Sequence, residues 1–378
     1  VKPSEFVHSH IRHLDGYVPG LQTEDPEVIK LNTNENPFPI PASVRNALVQ
    51  EIDGKLLQKY PNPVSQRLRE ALAAKYGRPP ECFLVGNGSD EILSILFRAV
   101  LGQDKAMIAP YPTYSLYPVI AALSHSSCIE IQVREDWTLD FEAMLQKIQK
   151  GGIALAAFAN PNAPTGIAES EKDILDFTSR NPSLTLVDEA YADFGNVTVF
   201  KNAGTSTYPR LLVSGTASKA LSLAGARIGW LCAEESLIAE LEKIKDSYNV
   251  SRLAQAAALA AVLDKSEFEK RRDEIVNNRN FLTEGLDRLG FETLPSSTNF
   301  IFTRPPADLR ALSQRGETAA GAYYRLLLEN KILVRYWSSE KLKEWIRITI
   351  GTRADMEKLL STTDSIVSLA KREPISSQ

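Results

Sequence analysis

The chain has 378 residues, of which 43% are hydrophobic and 24% charged, with a formal net charge of -4. That composition is ordinary for a globular protein, long enough for one large domain or a larger domain with a smaller companion. It gives no footing for a polyanionic partner such as nucleic acid, and no apolar run approaches the roughly 18 residues of a membrane span.

The opening residues show no basic stretch followed by an apolar core, so no secretory signal is expected. Cys82, Cys128 and Cys232 are scattered and odd in number, which fits a reducing compartment such as the cytoplasm. His8, His10 and His13 cluster early but lack Cys, Asp or Glu partners at ligand spacing, so they read as part of a polar arm and no metal site is expected.

Residues 1–41 form that arm. Gly16, Pro19 and Gly20 interrupt it, and LNTNENPFPIP over 31–41 favours an extended, turn-rich path. A helix is expected from Ala42 to Glu51. Cys82–Gly86 is a short apolar run, and Ser89 opens a periodic helix to Leu101 with Asp90 and Glu91 in its first turn. Lys105–Ala109 predicts a strand, Thr113–Leu123 a helix, Ser127–Val133 a strand and Asp140–Lys150 a helix. Ile153–Phe158, Leu184–Asp188, Leu211–Ser214 and Ile228–Cys232 add strands, with Glu171–Ser179 helical among them.

Strands alternating with helices predict an α/β layer fold with a largely parallel sheet over 42–250. Residues 234–248 and 252–290 are mostly helical with a break near Asp264 to Ser266, and the stretch 251–290 is expected to connect two domains. Strand-like Asn299–Thr303, Ile332–Arg335 and Trp345–Ile350 among helices predict a smaller α+β domain over 291–378.

Several candidate site residues fall where strands end, the usual place for sites in such folds. Gly86-Asn87-Gly88-Ser89-Asp90 follows a strand and opens a helix, so its backbone N–H groups could hold a phosphate. It lacks the Lys of a nucleotide P-loop and the full dinucleotide glycine pattern. Asp188 ends an apolar strand and is either a turn residue or a carboxylate for a protonated heterocyclic nitrogen. Lys219 lies among small hydroxyl-bearing residues in Ser214-Gly215-Thr216-Ala217-Ser218-Lys219, with Arg227 eight positions on. It is either a solvated surface lysine or one able to form a Schiff base. Ser218 and Arg227 suit a phosphate. Asn160-Pro161-Asn162-Ala163-Pro164-Thr165-Gly166 is a rigid turn. Arg335 and Arg347 lie in strand-like runs, where each must pair with a structural carboxylate or capture an anion.

Together these segments resemble the fold-type I pyridoxal-phosphate enzymes and, within them, the histidinol-phosphate aminotransferases. LNTNENP, KYPNP, GNGSDE, YPTYSLY, NPNAPTG, VDEAY, SGTASKALSLAGARIGW and IRITIGTR occur in the family's order between about Leu14 and Leu369. The resemblance implies pyridoxal 5'-phosphate as cofactor and a large domain with a mostly parallel central sheet beside a smaller α+β domain, with the arm joining the small domain and dimer contacts. It implies that Lys219 holds the cofactor as a Schiff base and moves the proton in catalysis. Asp188 would pair with the ring nitrogen, Tyr191 would bond the phenolic oxygen, and Tyr114 would stack on the ring. Ser89, Asp90, Thr216, Ser218 and Arg227 would surround the phosphate, with Asp90 orienting donors. Tyr60 would reach the phosphate of a second subunit in a homodimer. Arg347, with Arg335, would bind the substrate's anionic group, and Tyr17 and Asn34 would complete that pocket.

The chain departs from the family at Ala163, where asparagine usually bonds the phenolic oxygen; Asn162 is the nearest substitute, and Asn160 a weaker one. The implied reaction moves the amino group between L-histidinol phosphate and 2-oxoglutarate. An aromatic or broad-specificity aminotransferase is the main alternative, for which Tyr17, Tyr336 and Trp337 could line a pocket. A decarboxylase of a phosphorylated amino acid shares the same lysine and aspartate. A binding protein that kept the fold would be expected to have lost Lys219 or its partners.

Overall fold

The computed structural model describes residues 2–17, 19–54, 56–314 and 316–372. The chain divides into two compact units. The first takes Val1–Val18, Ile40–Ala163 and Ala168–Phe268; the second takes Pro19–Pro39, Pro164–Ile167 and Glu269–Gln378. The early arm is thus shared between the units, and the division within the long helix Lys265–Arg288 falls after Phe268.

The first unit is built on a seven-stranded sheet. Its strands are β1 (Phe83–Gly86), β2 (Ala106–Tyr111), β3 (Cys128–Gln132), β4 (Ile153–Ala159), β5 (Leu184–Asp188), β6 (Leu211–Thr216) and β7 (Gly229–Cys232). Their order across the sheet is β1-β7-β6-β5-β4-β2-β3. Only β7 runs antiparallel to its neighbours; the other pairings are parallel. The apolar runs of β1, β6 and β7 are buried throughout, as a parallel sheet covered on both faces requires.

One face is covered by the helix Ser89–Val100. Its Ile92, Leu93, Leu96 and Phe97 are fully buried in one core with Leu84, Met107, Leu186, Leu212 and Leu231. A further helix, Gln66–Tyr76, buries Leu68 and Leu72. The helix expected from Thr113 starts only at Leu116, because the preceding residues form the turn that carries Tyr114.

The second unit holds a four-stranded antiparallel sheet of β8 (Glu292–Thr293), β9 (Phe300–Arg304), β10 (Arg335–Tyr336) and β11 (Ile346–Thr349), in the order β10-β11-β9-β8. The strand expected over Ile332–Arg335 is split. Ile332–Leu333 pairs in parallel with Ile29–Lys30 from the arm, and Arg335 begins β10. The helices Ala319–Glu329 and Arg353–Ala370 belong to this unit, linked by a 2.7 Å hydrogen bond between the buried hydroxyls of Tyr323 and Thr363. Among the described residues, no helix is long and apolar enough to cross a membrane.

Candidate active site

Six of the seven strands in the first unit run in one direction, so the carboxyl ends of β1, β2, β4, β5 and β6 share one edge of the sheet. At the end of β1 the chain turns through Gly88, with φ +90°, into the helix Ser89–Val100. A Cβ on Gly88 would lie 2.5 Å from a terminal guanidinium nitrogen of Arg227, and one on Gly229 would lie 2.4 Å from the Ser89 backbone nitrogen. Only glycine permits so close an approach. It brings the first-turn N–H groups of a 12-residue helix together with Arg227.

Arg227 itself adopts a left-handed backbone, φ +53°, and its Nη2 lies 3.2 Å from Asp90 Oδ2. Both side chains are about half exposed, so the pair orients the guanidinium more than it stabilises the fold. Thr216 and Ser218 are buried, with hydroxyls 3.0 Å apart and the Ser218 N–H donating to Thr216 Oγ1 at 3.1 Å. A helix start, a guanidinium and two hydroxyls make a suitable cradle for a phosphate.

Asp188 is 4% exposed at the end of β5. The Tyr117 hydroxyl donates to its Oδ2 at 3.1 Å, and the Ser214 hydroxyl to its Oδ1 at 3.1 Å. Burial pushes its pKa up to about 6, against the lowering effect of those hydroxyls and of a backbone N–H. A cation beside it would favour the charged form, so the donor set fits a protonated ring nitrogen.

Asp90 and Asp188 are linked through tyrosines. The Tyr114 hydroxyl donates to Asp90 Oδ1 at 3.0 Å, and the Tyr114 and Tyr117 rings meet edge to face at 5.5 Å. Burial and the Asp90 carboxylate push the Tyr114 hydroxyl pKa upward, so it stays a neutral donor. Tyr17 is 42% exposed and sets its ring edge against Tyr114, centroids 6.2 Å apart. Lys219 Nζ lies 5.8 Å from the centroid of the Tyr191 ring. The structure therefore gathers the cradle, Asp188 and Tyr114 in one hydrogen-bonded and packed chain, with Lys219 beside Tyr191.

Asn162 is 2% exposed and its amide is engaged locally: Oδ1 accepts from Thr113 Oγ1 at 2.8 Å, and Nδ2 donates to the Pro112 carbonyl at 3.0 Å. These bonds tie the NPNAPTG turn to the turn carrying Tyr114. Asn160 accepts from the Glu169 N–H at 2.7 Å. Ala163 is buried and has no polar group to offer. Tyr60 is 76% exposed, its ring stacked on Tyr248 at 4.4 Å.

The anion-binding candidates lie in the second unit. Arg335 and Arg347 are direct partners across β10 and β11, so their side chains leave the same face of the sheet. Like charges placed directly opposite one another on a sheet repel. Arg347 Nη2 donates to the Asn32 carbonyl at 2.9 Å, and both guanidinium carbons lie over the Trp337 ring, at 5.3 and 5.4 Å. Asn34 has φ +56° and is 1% exposed; its Oδ1 accepts from Thr349 Oγ1 at 3.0 Å and its carbonyl accepts from Asn299. Asn34 thereby anchors the arm segment to β11.

Sequence reasoning missed Tyr117, Ser214 and Glu189. Glu189 is 5% exposed; its carboxyl oxygens accept from the Val199 N–H at 2.6 Å and from Thr198 Oγ1 at 2.5 Å, spanning the loop that carries Tyr191. Burial pushes its pKa up to about 8. An acidic residue beside the strand-end aspartate was the available signal for it. Nothing local marks Tyr117, whose partner is distant in sequence.

The chain has clear relatives among known proteins. The family described as aminotransferase class I and II matches residues 26–362. The histidinol-phosphate aminotransferase of Geotalea daltonii is 39% identical over 356 residues, covering 94% of this chain and 97% of that one. That of Syntrophus aciditrophicus is 40% identical over 365 residues, covering 95% and 97%. Among solved structures, the histidinol-phosphate aminotransferase of Sinorhizobium meliloti in complex with pyridoxal-5'-phosphate superposes with a TM-score of 0.86 at 24% identity, covering 96% of this chain and 98% of that chain. At that identity the likeness speaks to the fold alone.

Proposed function

Because the chain belongs to the class I and II aminotransferases, we propose that it moves the amino group between L-histidinol phosphate and 2-oxoglutarate, giving imidazole acetol phosphate and L-glutamate, with pyridoxal 5'-phosphate as cofactor. The observation that carries the substrate choice is the placement of Arg335 directly opposite Arg347. Two guanidiniums on one face suit a phosphate dianion at one end of the reaction and a carboxylate at the other. The curated relatives that bear this activity in their names match nearly the whole chain.

Bound in the cradle, the cofactor supplies an electron sink for the substrate carbon. The protein does the rest. The first-turn N–H groups at Ser89 and Asp90, the hydroxyls of Thr216 and Ser218, and Arg227 hold its phosphate. Asp188, oriented by Tyr117 and Ser214, holds the proton on the ring nitrogen. Tyr191 would hydrogen-bond the cofactor's phenolic oxygen, a task Ala163 cannot share, and Tyr114 would help hold the ring. Lys219 would hold the cofactor and would serve as the general base and acid that moves the proton at the substrate carbon. Arg335 and Arg347 receive the substrate's anionic group.

The reading extends to a homodimer in which Tyr60 reaches the phosphate of the second subunit. Its exposure supports this, as do the exposed apolar side chains of Val49, Ile52, Leu57 and Leu263 in the same unit. The free cysteines fit a cytoplasmic setting.

The test is a half-reaction. Protein loaded with pyridoxal phosphate is mixed separately with L-histidinol phosphate, L-phenylalanine, L-tyrosine and L-glutamate, and the conversion to the pyridoxamine form is followed by absorbance. Fast conversion with histidinol phosphate and slow conversion with the aromatic acids supports the reading. The reverse pattern sinks it in favour of an aromatic aminotransferase. Lys219→Ala is expected to lower the single-turnover rate by at least about 10³-fold.

A further inference from the structure

We propose that Trp337 is a positioning residue that holds Arg335 and Arg347 together as one dianion-binding pair and so sets the preference for a phosphate-bearing substrate. The inference rests on the reading above that these arginines receive the substrate's anionic group. Arg335 and Arg347 face each other across β10 and β11, an arrangement of like charges that a sheet does not favour. Among the described residues, no carboxylate forms an ion pair with Arg335.

For Arg335 the indole supplies what a carboxylate would otherwise supply, without filling the anion's place. The Arg335 guanidinium carbon lies 5.3 Å from the Trp337 ring centroid and that of Arg347 lies 5.4 Å from it. Both are within range of the negative face of an indole, the strongest of the aromatic partners. A carboxylate at this point would neutralise the arginines and compete with substrate; a ring face attracts them without itself accepting their N–H hydrogen bonds.

Trp337 is itself held. It follows Arg335 by two positions, just past the end of β10, and sets its ring at 71° to the fully buried Phe302, centroids 6.5 Å apart. Phe302 pairs across the sheet with Arg347 and stacks on Trp345 at 5.1 Å. Arg347 also lies over Phe300 at 5.3 Å. The guanidiniums are thus seated on aromatic rings fixed by the core of the second unit. Trp337 is committed to the arginines, which assigns it a different task from the aromatic substrate pocket considered from sequence.

The experiment uses the holoenzyme and two amines that differ only in the phosphate, L-histidinol phosphate and L-histidinol. Half-saturation concentrations are measured in single-turnover conversion for the unaltered protein, Trp337→Phe, Trp337→Met and Arg335→Met, each checked for a cooperative melting transition. Trp337→Met, which keeps an apolar side chain but loses the ring face, is expected to reduce the preference ratio for the phosphorylated amine about tenfold. Trp337→Phe is expected to retain it within about threefold. In an Arg335→Met background, Trp337→Met is expected to cost less than half as much on a logarithmic scale. If the unaltered protein does not prefer the phosphorylated amine, both the substrate reading and this inference fall. If it does, and Trp337→Met keeps the full ratio or weakens both amines equally, this inference alone is overturned.

Discussion

The Tyr117 hydroxyl donates to Asp188 Oδ2 at 3.1 Å across 71 residues of sequence, from a ring that is fully buried. Asp188 therefore reaches the site already oriented by a helix on the face of the sheet. Tyr117→Phe removes one hydroxyl and leaves the packing intact. It is expected to cost about 1 kcal/mol of stability and to weaken cofactor binding several-fold, because one stabiliser of the charged carboxylate is lost. Denaturant titration of the apoprotein and a cofactor binding isotherm check the two effects. An unchanged isotherm would show that Ser214 and the Ala190 backbone N–H suffice to orient Asp188.

The apoprotein is expected to lose stability as pH rises from about 4 to 8. Asp188 moves from an ordinary 3.8 up to about 6, mainly by burial, and Glu189 from 4.5 up to about 8 for the same reason. For a carboxyl whose folded pKa is raised, the native state binds more protons than the unfolded state between the two values, so stability falls as pH rises through that window. For Asp188 the full effect is about 3 kcal/mol. Urea midpoints at pH 5, 6.5 and 8 read it directly, and Asp188→Asn is expected to flatten the lower part of the profile. A midpoint that rises over that range would contradict the assignment.

Asn162→Ala is expected to act on the fold before the chemistry. It strips Thr113 Oγ1 and the Pro112 carbonyl of their buried partner, which costs about 1–3 kcal/mol. The pH titration of the cofactor's visible band is expected to stay near that of the unaltered protein, since the bond to the phenolic oxygen is assigned to Tyr191. Ala163→Asn tests the converse by restoring the amide the family usually has. It is expected to shift that titration downward, and no shift would place the turn too far from the oxygen to matter.

Gly88→Ala combines a left-handed backbone with a Cβ 2.5 Å from Arg227. The guanidinium must move, and cofactor affinity is expected to fall at least about tenfold. The folded core is expected to persist, as near-ultraviolet circular dichroism of the apoprotein would report. Unchanged affinity would remove Arg227 from the cradle.

The parallel sheet was legible because its strands are continuous apolar runs ending in polar turns; Leu184–Asp188 begins and ends where the sequence places it. Edges were blurred where a turn serves the site, as at Thr113 and Tyr114. The helix Gln66–Tyr76 carries its signal in Leu68 and Leu72, but a buried Arg69 donating to the Pro80 carbonyl and pairing with Glu242 breaks the apolar stripe. The short strands Ile29–Lys30 and Glu292–Thr293 have too few residues to show a period. Within the candidate site, sequence motifs supplied Asp188, Lys219 and Arg227. The residues that orient Asp188 could not be read, because a tyrosine in an apolar helix looks the same whether its hydroxyl meets water or a carboxylate.

The cradle, Asp188, Tyr191 and Lys219 all belong to the first compact unit, whereas Arg335, Arg347 and Trp337 all belong to the second. On the proposed reading, bond-making machinery and ligand choice would be written in separate stretches of the chain, each with its own core. A lineage could exchange one amine donor for another by altering β10, β11 and the indole between them, with the proton-handling groups left untouched. Laboratory selection for a new donor would be expected to collect its first substitutions there.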